Sequence, residues 1–474
     1  MKRRLTLQFV AACLLMTTGA LAAPKVYFVA PDGKDSNKGT IDSPFATFNK
    51  AQEFVEPGDT VYFRGGTYNV RQDQYAYYSK TEIMKRYGSR TGWVIVNDVS
   101  KSGTENARIN YFAYPGEKPV FNLEAIKPPF GEVQTLAKVI VFHVKASWVH
   151  FKGFEIIGTQ VTDVNSASQS ECFRNEGSHN IYEQLSMHDG MAIGFFLTTG
   201  SYNLVLNCDA YRNHDTVSDH GRGGNTDGFG FHGDQGSIHN VIRGCRAWWN
   251  SDDGYDCINN AETVIIENCW AFYNGFHAGT FESAGDGTGF KMGGYGARPR
   301  QSDLPEFIPG NVVHHCLSYR NKINGFYANH HTIAGHQFYN NTAYRNNPNY
   351  CLLSQEILPG AQNATDCDGY NHVLRNNISL YWEGFQEVTR LGSCVNVNNT
   401  FTPAFGAMAT PGDFLNTTDD KQLEAPRKAD GSLPDIEFLH LKQGSKLIDK
   451  GTYTGIPFNG KAPDLGAFET SYSE

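Results

Sequence analysis

Long apolar runs and a high density of charge are both missing from this 474-residue sequence. After residue 25 no apolar run reaches the roughly eighteen residues of a membrane-spanning helix, so the mature chain is predicted to lack one. Charged residues make up only 19% and aromatic residues 13%, unlike the charge-rich, aromatic-poor composition of disordered proteins. Alanine, glutamate, lysine and leucine do not dominate as they do in coiled coils. The composition therefore predicts a soluble protein with a large core.

The N-terminus has the pattern of an export signal. Lys2, Arg3 and Arg4 precede an apolar run to Met16, and Ala20-Leu21-Ala22 offers the small residues of a cleavage site. Residues 1–22 are therefore predicted to be removed, which places the protein in the periplasm or outside the cell. Cleavage takes away three positive charges and no negative ones, changing the net charge from −9 to −12. This charge disfavours nucleic acid as a partner, and a polyanion would need a bridging cation or a local arginine cluster.

A seven-residue pattern recurs through the middle of the chain. It occupies residues 207–213, 244–250, 268–274, 315–321 and 340–346. The second position of each copy falls at residues 208, 245, 269, 316 and 341, which gives steps of 37, 24, 47 and 25 residues. A unit of about 24 residues with occasional loops, each containing short β-rich runs broken by Gly, Asn or Asp, is typical of a parallel β-helix. Helical repeats would require longer amphipathic runs. The predicted fold class is all-β, a parallel β-helix.

Cysteine and asparagine recur at fixed positions of this pattern and are predicted to form internal ladders. The cysteines, expected to pack as small hydrophobic residues rather than to form disulfides, are Cys208, Cys245, Cys269 and Cys316. The asparagines, expected to hydrogen-bond one another at a turn, are Asn213, Asn250, Asn274, Asn321 and Asn346. Nine cysteines remain after cleavage, an odd number. The sequence leaves open how Cys351, Cys367 and Cys394 are paired.

Both ends of the chain lack the pattern and are predicted to cap the solenoid, since terminal coils otherwise expose apolar faces. The N-terminal part is expected to contain strands over Val26–Val29 and Thr60–Phe63 and an amphipathic helix over Ala46–Val55. The predicted organisation is a signal peptide over 1–22, an N-terminal helical cap and first coils over 23–130, catalytic coils over 131–400 and a C-terminal capping segment over 401–474.

A second register brings charged residues together. It consists of the glycine-aromatic pairs Gly228-Phe229, Gly254-Tyr255, Gly289-Phe290 and Gly325-Phe326. In this frame Asp227 and Asp253 occupy equivalent positions before the glycine, and Asp256 and Lys291 occupy equivalent positions after it. Neighbouring parallel strands lie about 4.8 Å apart, so Asp227 is predicted to stack on Asp253 and Asp256 to lie near Lys291. Asp252 joins them from the adjacent turn position.

The four aspartates predict a cation site. Carboxylates this close repel one another, and their pKa values rise unless a cation lies among them. Calcium accepts six to eight hard oxygen ligands in loose geometry, and the neighbouring sequence has no cysteine or histidine set at zinc spacing. The alternatives are solvated turn aspartates or a purely structural ion. Ca²⁺ bound by Asp227, Asp252, Asp253 and Asp256 is the prediction.

Basic residues surround the aspartates. Lys291 lies in the sequence Gly289-Phe290-Lys291-Met292-Gly293-Gly294, in which the glycines allow another chain to approach closely. The further cations, which together suit a groove for a polymer that carries carboxylates, are Arg222, Arg298, Arg300, Arg320 and Lys322.

A divalent cation, a lysine and an anionic sugar fit β-elimination at a uronate. Loss of the C5 proton places extra negative charge on the adjacent carboxylate, which a cation and arginine can neutralise. A neutral lysine takes the proton and the C4 oxygen leaves. Free lysine titrates near 10.4, so a nearby dication must lower its pKa, and activity is expected to favour alkaline pH.

Three segments resemble the calcium and catalytic motifs of family 9 polysaccharide lyases. They are residues 225–229, 250–256 and 287–294. Members of this family are right-handed parallel β-helix enzymes that cleave pectic backbones. The resemblance implies that the four aspartates hold calcium and that Lys291 is the Brønsted base. One departure is Gly230-Phe231-His232, where polygalacturonate-cleaving members often carry a lysine, which makes the rhamnogalacturonan backbone a candidate substrate beside polygalacturonate.

Two other functions remain open. Asn225-Thr226-Asp227 followed by Asp252-Asp253 resembles the paired acids of inverting polygalacturonases, although the Gly-His-Gly and Arg-Ile-Lys motifs of that family are missing from the sequence. A non-catalytic β-helix that binds glycans is the third possibility. The predicted function is a calcium-dependent lyase that acts, as an exported monomer, on an acidic pectic polysaccharide.

Overall fold

Short strands stacked in long sheets make up almost all of the regular structure. The computed structural model describes residues 23–79, 92–127, 136–162, 164, 169–406 and 408–472. The predicted signal peptide lies outside these ranges. Most coils contribute one strand to each of three sheets, and neighbouring coils pair in parallel. The predicted parallel β-helix is confirmed.

Within the described ranges, the three sheets contain twelve, ten and eleven strands. The first sheet is formed by Val26–Val29, Thr60–Phe63, Ile109–Ala113, Val149–Lys152, Ile181–Glu183, Leu204–Leu206, Asn240–Arg243, Val264–Glu267, Val312–His314, Gln337–Tyr339, Val373–Arg375 and Val395–Val397. The second is formed by Gly66–Asn69, Pro119–Asn122, Glu155–Ile157, Ser186–His188, Asp209–Tyr211, Arg246–Trp248, Trp270–Phe272, Leu317–Tyr319, Thr342–Tyr344 and Ile378–Leu380. The third is formed by Tyr77–Ser79, Gly92–Val99, Leu136–Val144, Ser170–Asn175, Ala192–Leu197, Phe229–Phe231, Tyr255–Asp256, Phe290–Lys291, Phe326–Tyr327, Tyr350–Cys351 and Val388–Thr389.

The remaining elements lie at the ends of the sheets or in loops. A two-stranded antiparallel hairpin joins Ser354–Glu356 to Thr365–Cys367, and Tyr77–Ser79 pairs antiparallel with the following strand. The 3₁₀ helices are Ser218–Gly221, Gln301–Asp303, Pro403–Phe405, Pro411–Asp413 and Asp420–Glu424.

The α-helix Phe48–Phe54 covers the N-terminal end of the core. Its N-cap is Thr47, whose hydroxyl accepts a hydrogen bond from the Lys50 N–H at 3.1 Å. The side chains of Phe48, Ala51 and Val55 are fully or almost fully buried in the main core. The helix predicted from the amphipathic pattern therefore forms, and it covers apolar surface of the first coils.

The internal ladders are formed as predicted. The backbone N–H of Cys208 donates to the sulfur of Cys245 at 3.3 Å, and the N–H of Cys245 donates to Cys269 Sγ at 3.4 Å. Among the asparagines, the Asn250 side-chain amide donates to Asn274 Oδ1 at 3.1 Å. Both ladders hold one coil in register with the next, because each side chain accepts from the backbone of its neighbour.

The C-terminal segment lies along the outer face of the second sheet. Aromatic and aliphatic residues of that face pack in a second core against residues of the 409–465 segment. Arg427 donates to both carboxylate oxygens of the buried Asp209, at 2.6 and 3.1 Å, and Asp209 also binds Arg246. These contacts cover the side of the coils rather than their last turn. That residues 401–474 also cap the C-terminal end stays a prediction.

None of the helices among the described residues has the length and apolar character needed to cross a membrane.

Candidate active site

The third sheet carries the glycine-aromatic register. Phe229 pairs with Tyr255, and Tyr255 pairs with Phe290. The rings stack inside the core with centroids 5.2 and 4.7 Å apart. A side chain would not fit in place of the glycine before each ring. A Cβ atom on Gly254, for example, would lie 2.7 Å from the carbonyl oxygen of Gly289. The predicted register is confirmed.

The residue after each aromatic ring lies on the outer face of the sheet. Asp256 pairs with Lys291, and Lys291 pairs with Tyr327 of the next coil. Asp227 and Asp253 precede the glycines, and the Asp253 N–H donates to Asp227 Oδ1 at 3.1 Å. The parallel pairing therefore brings together residues that are 26 and 35 positions apart in the sequence.

Three carboxylates and one ammonium group form the centre of the site. Oxygen atoms of Asp227, Asp253 and Asp256 all lie within 4.8 Å of one another, and all three residues are buried. Lys291 Nζ lies 3.0 Å from Asp253 Oδ2 and 3.1 Å from Asp256 Oδ2. Asp252 is buried beside this group, and its N–H donates to the Thr226 carbonyl at 3.3 Å. The geometry thus supports a triad of possible metal ligands with Asp252 adjacent.

Backbone amides orient the carboxylates. The Thr288 N–H donates to Asp253 Oδ1, and the Ile258 N–H donates to Asp256 Oδ1, both at 2.7 Å. Each bond leaves the second oxygen of that carboxylate directed at Lys291. The site is thereby built from three consecutive coils.

Like charges and burial dominate the electrostatics. Burial raises the pKa of Asp227 well above its usual range, and the Asp256 and Asp253 carboxylates raise it further. Burial and the neighbouring Asp253 and Asp227 carboxylates have the same effect on the pKa of Asp252. Burial alone would lower the pKa of Lys291, but the surrounding aspartates, Asp253 and Asp256 first, outweigh it and hold the pKa well above its usual value. The cluster is therefore short of positive charge, which a divalent cation would supply.

Two further side chains border the centre. Tyr327 lies one strand beyond Lys291 on the same face, and the sequence could have indicated it, because it follows Phe326 as Lys291 follows Phe290. His232 Nε2 lies 3.8 Å from Asp256 Oδ2, and burial lowers the pKa of its imidazole. No repeated pattern identifies His232, because it lies outside the glycine-aromatic register.

The other predicted cations fall in three places. Arg222 and Lys322 line one cleft of about 380 Å³ together with His214, His277 and Asp286. Arg320 stacks on the Phe281 ring, with its guanidinium carbon 3.6 Å from the ring centroid. Arg298 and Arg300 are exposed, on a segment that pairs with residues 362–364 near the antiparallel hairpin. Arg222 and Lys322 therefore share one concave surface.

The fold and this site define a right-handed parallel β-helix with a buried carboxylate–lysine centre. The chain belongs to the Pel9A-like family, whose profile, described as the Pel9A-like right-handed β-helix region, matches residues 27–377.

Relatives resemble the chain over nearly its full length. Pectate lyase L of Dickeya chrysanthemi is 32% identical over 97% of this chain and 94% of the relative. A solved structure titled rhamnogalacturonan lyase is 40% identical, with a TM-score of 0.79 over 89% of this chain and 98% of that one. The crystal structure of pectate lyase Pel9A is 30% identical, with a TM-score of 0.70 over 94% of this chain and 97% of that one.

Proposed function

We propose that this polysaccharide lyase cleaves a galacturonate-containing pectic backbone by β-elimination, with Ca²⁺ as cofactor and Lys291 as the base. The observation that carries the proposal is the position of Lys291 Nζ, 3.0 and 3.1 Å from two carboxylates of a buried aspartate cluster. The relatives named pectate lyase and rhamnogalacturonan lyase support the substrate class.

The donor set fits calcium. Asp227, Asp253 and Asp256 offer hard oxygen ligands within 4.8 Å of one another, and Asp252, whose pKa is raised by burial and by the neighbouring Asp253 and Asp227 carboxylates, is proposed as the fourth ligand. Hard oxygen donors in loose geometry are what calcium prefers. When bound, the cation would compensate the aspartate charge, which lowers the pKa of Lys291, and would neutralise the charge that develops on the substrate carboxylate.

The side chains then have separate tasks. Lys291 takes the proton from C5 of the galacturonate, and the electron pair of that C–H bond forms the C4–C5 double bond. The C4–O bond breaks with its electron pair on the departing sugar oxygen, which takes a proton from solvent. Asp253 and Asp256 hold the lysine nitrogen on the outer face of the sheet. Arg222 and Lys322 line the neighbouring cleft, which suits the carboxylate of an adjoining sugar. Arg298, Arg300 and Arg320 are proposed as contacts farther along the polymer.

Rhamnogalacturonan I and polygalacturonate are both proposed as substrates. The rhamnogalacturonan lyase structure shares 40% identity with this chain and Pel9A shares 30%, which favours the former. We also propose that residues 1–22 direct export, that residues 131–400 form the catalytic coils, and that the mature protein acts as a monomer in the periplasm or outside the cell.

Ultraviolet absorbance during incubation with each polysaccharide tests the function. A lyase yields an unsaturated, absorbing product, and its formation should stop with chelator and resume when Ca²⁺ is restored. New reducing ends without absorbance would indicate the hydrolase instead, and binding without turnover would indicate a glycan-binding protein. Either result contradicts the proposal.

A further inference from the structure

A long corner, residues 212–228, connects the second sheet to the third in the coil of Asp227. In the next coil, residues 249–254 make the same connection. Phe229 pairs with Tyr255 directly after the two connections, so both end in the same register. The long corner must therefore bring Asp227 to its place in the aspartate cluster despite its extra residues.

The side chain of Asp215 is buried at the start of the long corner, where it is 1% exposed. Its Oδ1 accepts the N–H groups of Val217 and Ser218, both at 2.9 Å, and its Oδ2 accepts the Ser218 hydroxyl. The next two residues, Asp219 and His220, have φ angles of 46° and 59°. This left-handed conformation costs free energy in residues other than glycine. Asp215 therefore holds a turn that the backbone alone would not favour.

Ser218 connects the start of the long corner to its end. Its hydroxyl oxygen accepts a hydrogen bond from Asn225 Nδ2 at 3.3 Å, across seven positions of the chain. Both side chains are buried, which shields this bond from competition by water. Asp215, Ser218 and Asn225 thereby tie the two ends of the corner together.

Thr226, the residue after Asn225, contacts the neighbouring coil. Its hydroxyl group hydrogen-bonds the hydroxyl group of Ser251, and its carbonyl accepts the Asp252 N–H at 3.3 Å. Asp227 follows directly and accepts the Asp253 N–H at 3.1 Å. A displaced corner would therefore move Asp227 relative to Asp252 and Asp253.

We propose that Asp215 is a positioning residue for the calcium site, which acts through Ser218 and Asn225 to hold Asp227 at the spacing that binds the cation. Residues that orient metal ligands from outside the ligand set commonly contribute about ten- to hundredfold to metal affinity. The proposal rests on the proposed function, in which Asp227 is a calcium ligand.

Titration calorimetry with Ca²⁺ measures this effect without turnover. Asp215→Ala should weaken Ca²⁺ binding about tenfold, the lower end of that range, because the connection is indirect. Asp215→Asn keeps an oxygen that can accept both N–H groups and should bind Ca²⁺ within about threefold of wild type. The matched control is Asp413→Ala, on the segment that lies along the second sheet. Asp413 is 6% exposed and likewise accepts a hydroxyl and an N–H group, both from Thr410, at 2.7 and 2.8 Å. Its substitution should leave the Kd for Ca²⁺ unchanged.

Ser218→Ala tests the route. It removes the hydroxyl group that joins Asp215 to Asn225, so it should weaken Ca²⁺ binding by a similar factor. Adding Asp215→Ala to it should cause little further loss, because substitutions along one path are not additive. Thermal unfolding without Ca²⁺ separates a merely structural role, which would lower the Tm of Asp215→Ala and Asp413→Ala alike and leave both Kd values unchanged.

Unchanged affinity in Asp215→Ala or Ser218→Ala, full additivity of the two substitutions, or an equal loss in Asp413→Ala would overturn the proposal. Absence of Ca²⁺ binding by wild-type protein would overturn it as well. If Asp215→Ala fails to fold, Ser218→Ala decides, because it breaks the same connection. The proposed function fails by a different result, which is the absence of unsaturated product from wild-type protein with either polysaccharide. The two failures are therefore distinguishable.

Discussion

Three buried histidines make the stability of the coils sensitive to acid. His331, His336 and His372 are at most 1% exposed, and the ring centroids are 3.9 Å apart for the first pair and 5.2 Å apart for the second. Nδ1 of His336 accepts the Asn311 N–H at 3.0 Å, and Nδ1 of His372 accepts the His336 N–H at 2.9 Å. A nitrogen that accepts a hydrogen bond carries no proton, so these rings are neutral in the folded state.

The size of the loss in unfolding free energy follows from proton linkage. Burial lowers the pKa of His331 to about 4 and that of His372 to about 3, and it places the pKa of His336 well below its usual value. In the unfolded chain these histidines have an ordinary pKa near 6.5 and bind protons below that pH. In the folded chain they stay neutral at the same pH. The stabilisation is therefore present above pH 6.5 and lost as the pH falls toward 4. Between pH 7 and 5, protonation of His331 and of His372 in the unfolded chain should each lower the free energy of unfolding by about 2 kcal/mol, and His336 should lower it further.

Urea unfolding at pH 7, 6 and 5 measures this loss. His372→Asn removes one titrating ring and keeps an acceptor, because Asn311 Oδ1 serves the Val264 N–H in the same way two coils earlier. The variant should lose about 2 kcal/mol less than wild type between pH 7 and 5. His239→Asn, at an exposed position, should leave the pH dependence unchanged. Identical pH dependence in wild type and His372→Asn would refute the reasoning.

Three other predictions concern the site and the core. Asp253→Ala should abolish calcium-dependent formation of unsaturated product while circular dichroism stays unchanged, and wild-type activity of this variant with chelator would contradict the site. Lys291→Arg should be nearly as inactive as Lys291→Ala, with KM changed far less than kcat, because guanidinium stays protonated; retained turnover would exclude this residue as the base. In native protein, the four ladder cysteines, all 0% exposed, should react with thiol reagents far more slowly than the half-buried Cys367 and Cys394. Rapid labelling of two ladder cysteines would contradict their packing.

Periodicity explains which parts of the fold could be predicted. The strands Val26–Val29 and Thr60–Phe63 have the predicted bounds, and the cysteine ladder and glycine-aromatic register are confirmed, because each depends on residues of one type recurring at one position. The stacking of His336 and His372 was not predicted, for the opposite reason. Asn311, His336 and His372 occupy equivalent positions in three consecutive coils, so the structural role repeats while the residue type changes.

Contacts between residues that belong to no repeated sequence pattern could not be predicted. Arg427 binds Asp209 across 218 positions, and no repeated pattern marks either residue as the partner of the other. The same holds for Arg320, whose contact with Phe281 depends on a loop inserted between two coils. The sequence therefore indicated that Arg320 lies near the aspartate and lysine motifs, but the direction of its side chain depends on a loop whose course has no repeat.

The geometry of the site does not depend on the lengths of the inserted loops, because the cysteine and asparagine ladders hold neighbouring coils in register. Neighbouring cysteines of the ladder are 37, 24 and 47 positions apart, yet each makes the same contact with the next coil. The loops leave at the turns and return in register, so Asp253 meets Asp227 across 26 positions and Lys291 meets Asp256 across 35. Loops of different length can therefore be inserted at the turns without moving the carboxylates and the lysine, because the pairing of the coils fixes their positions.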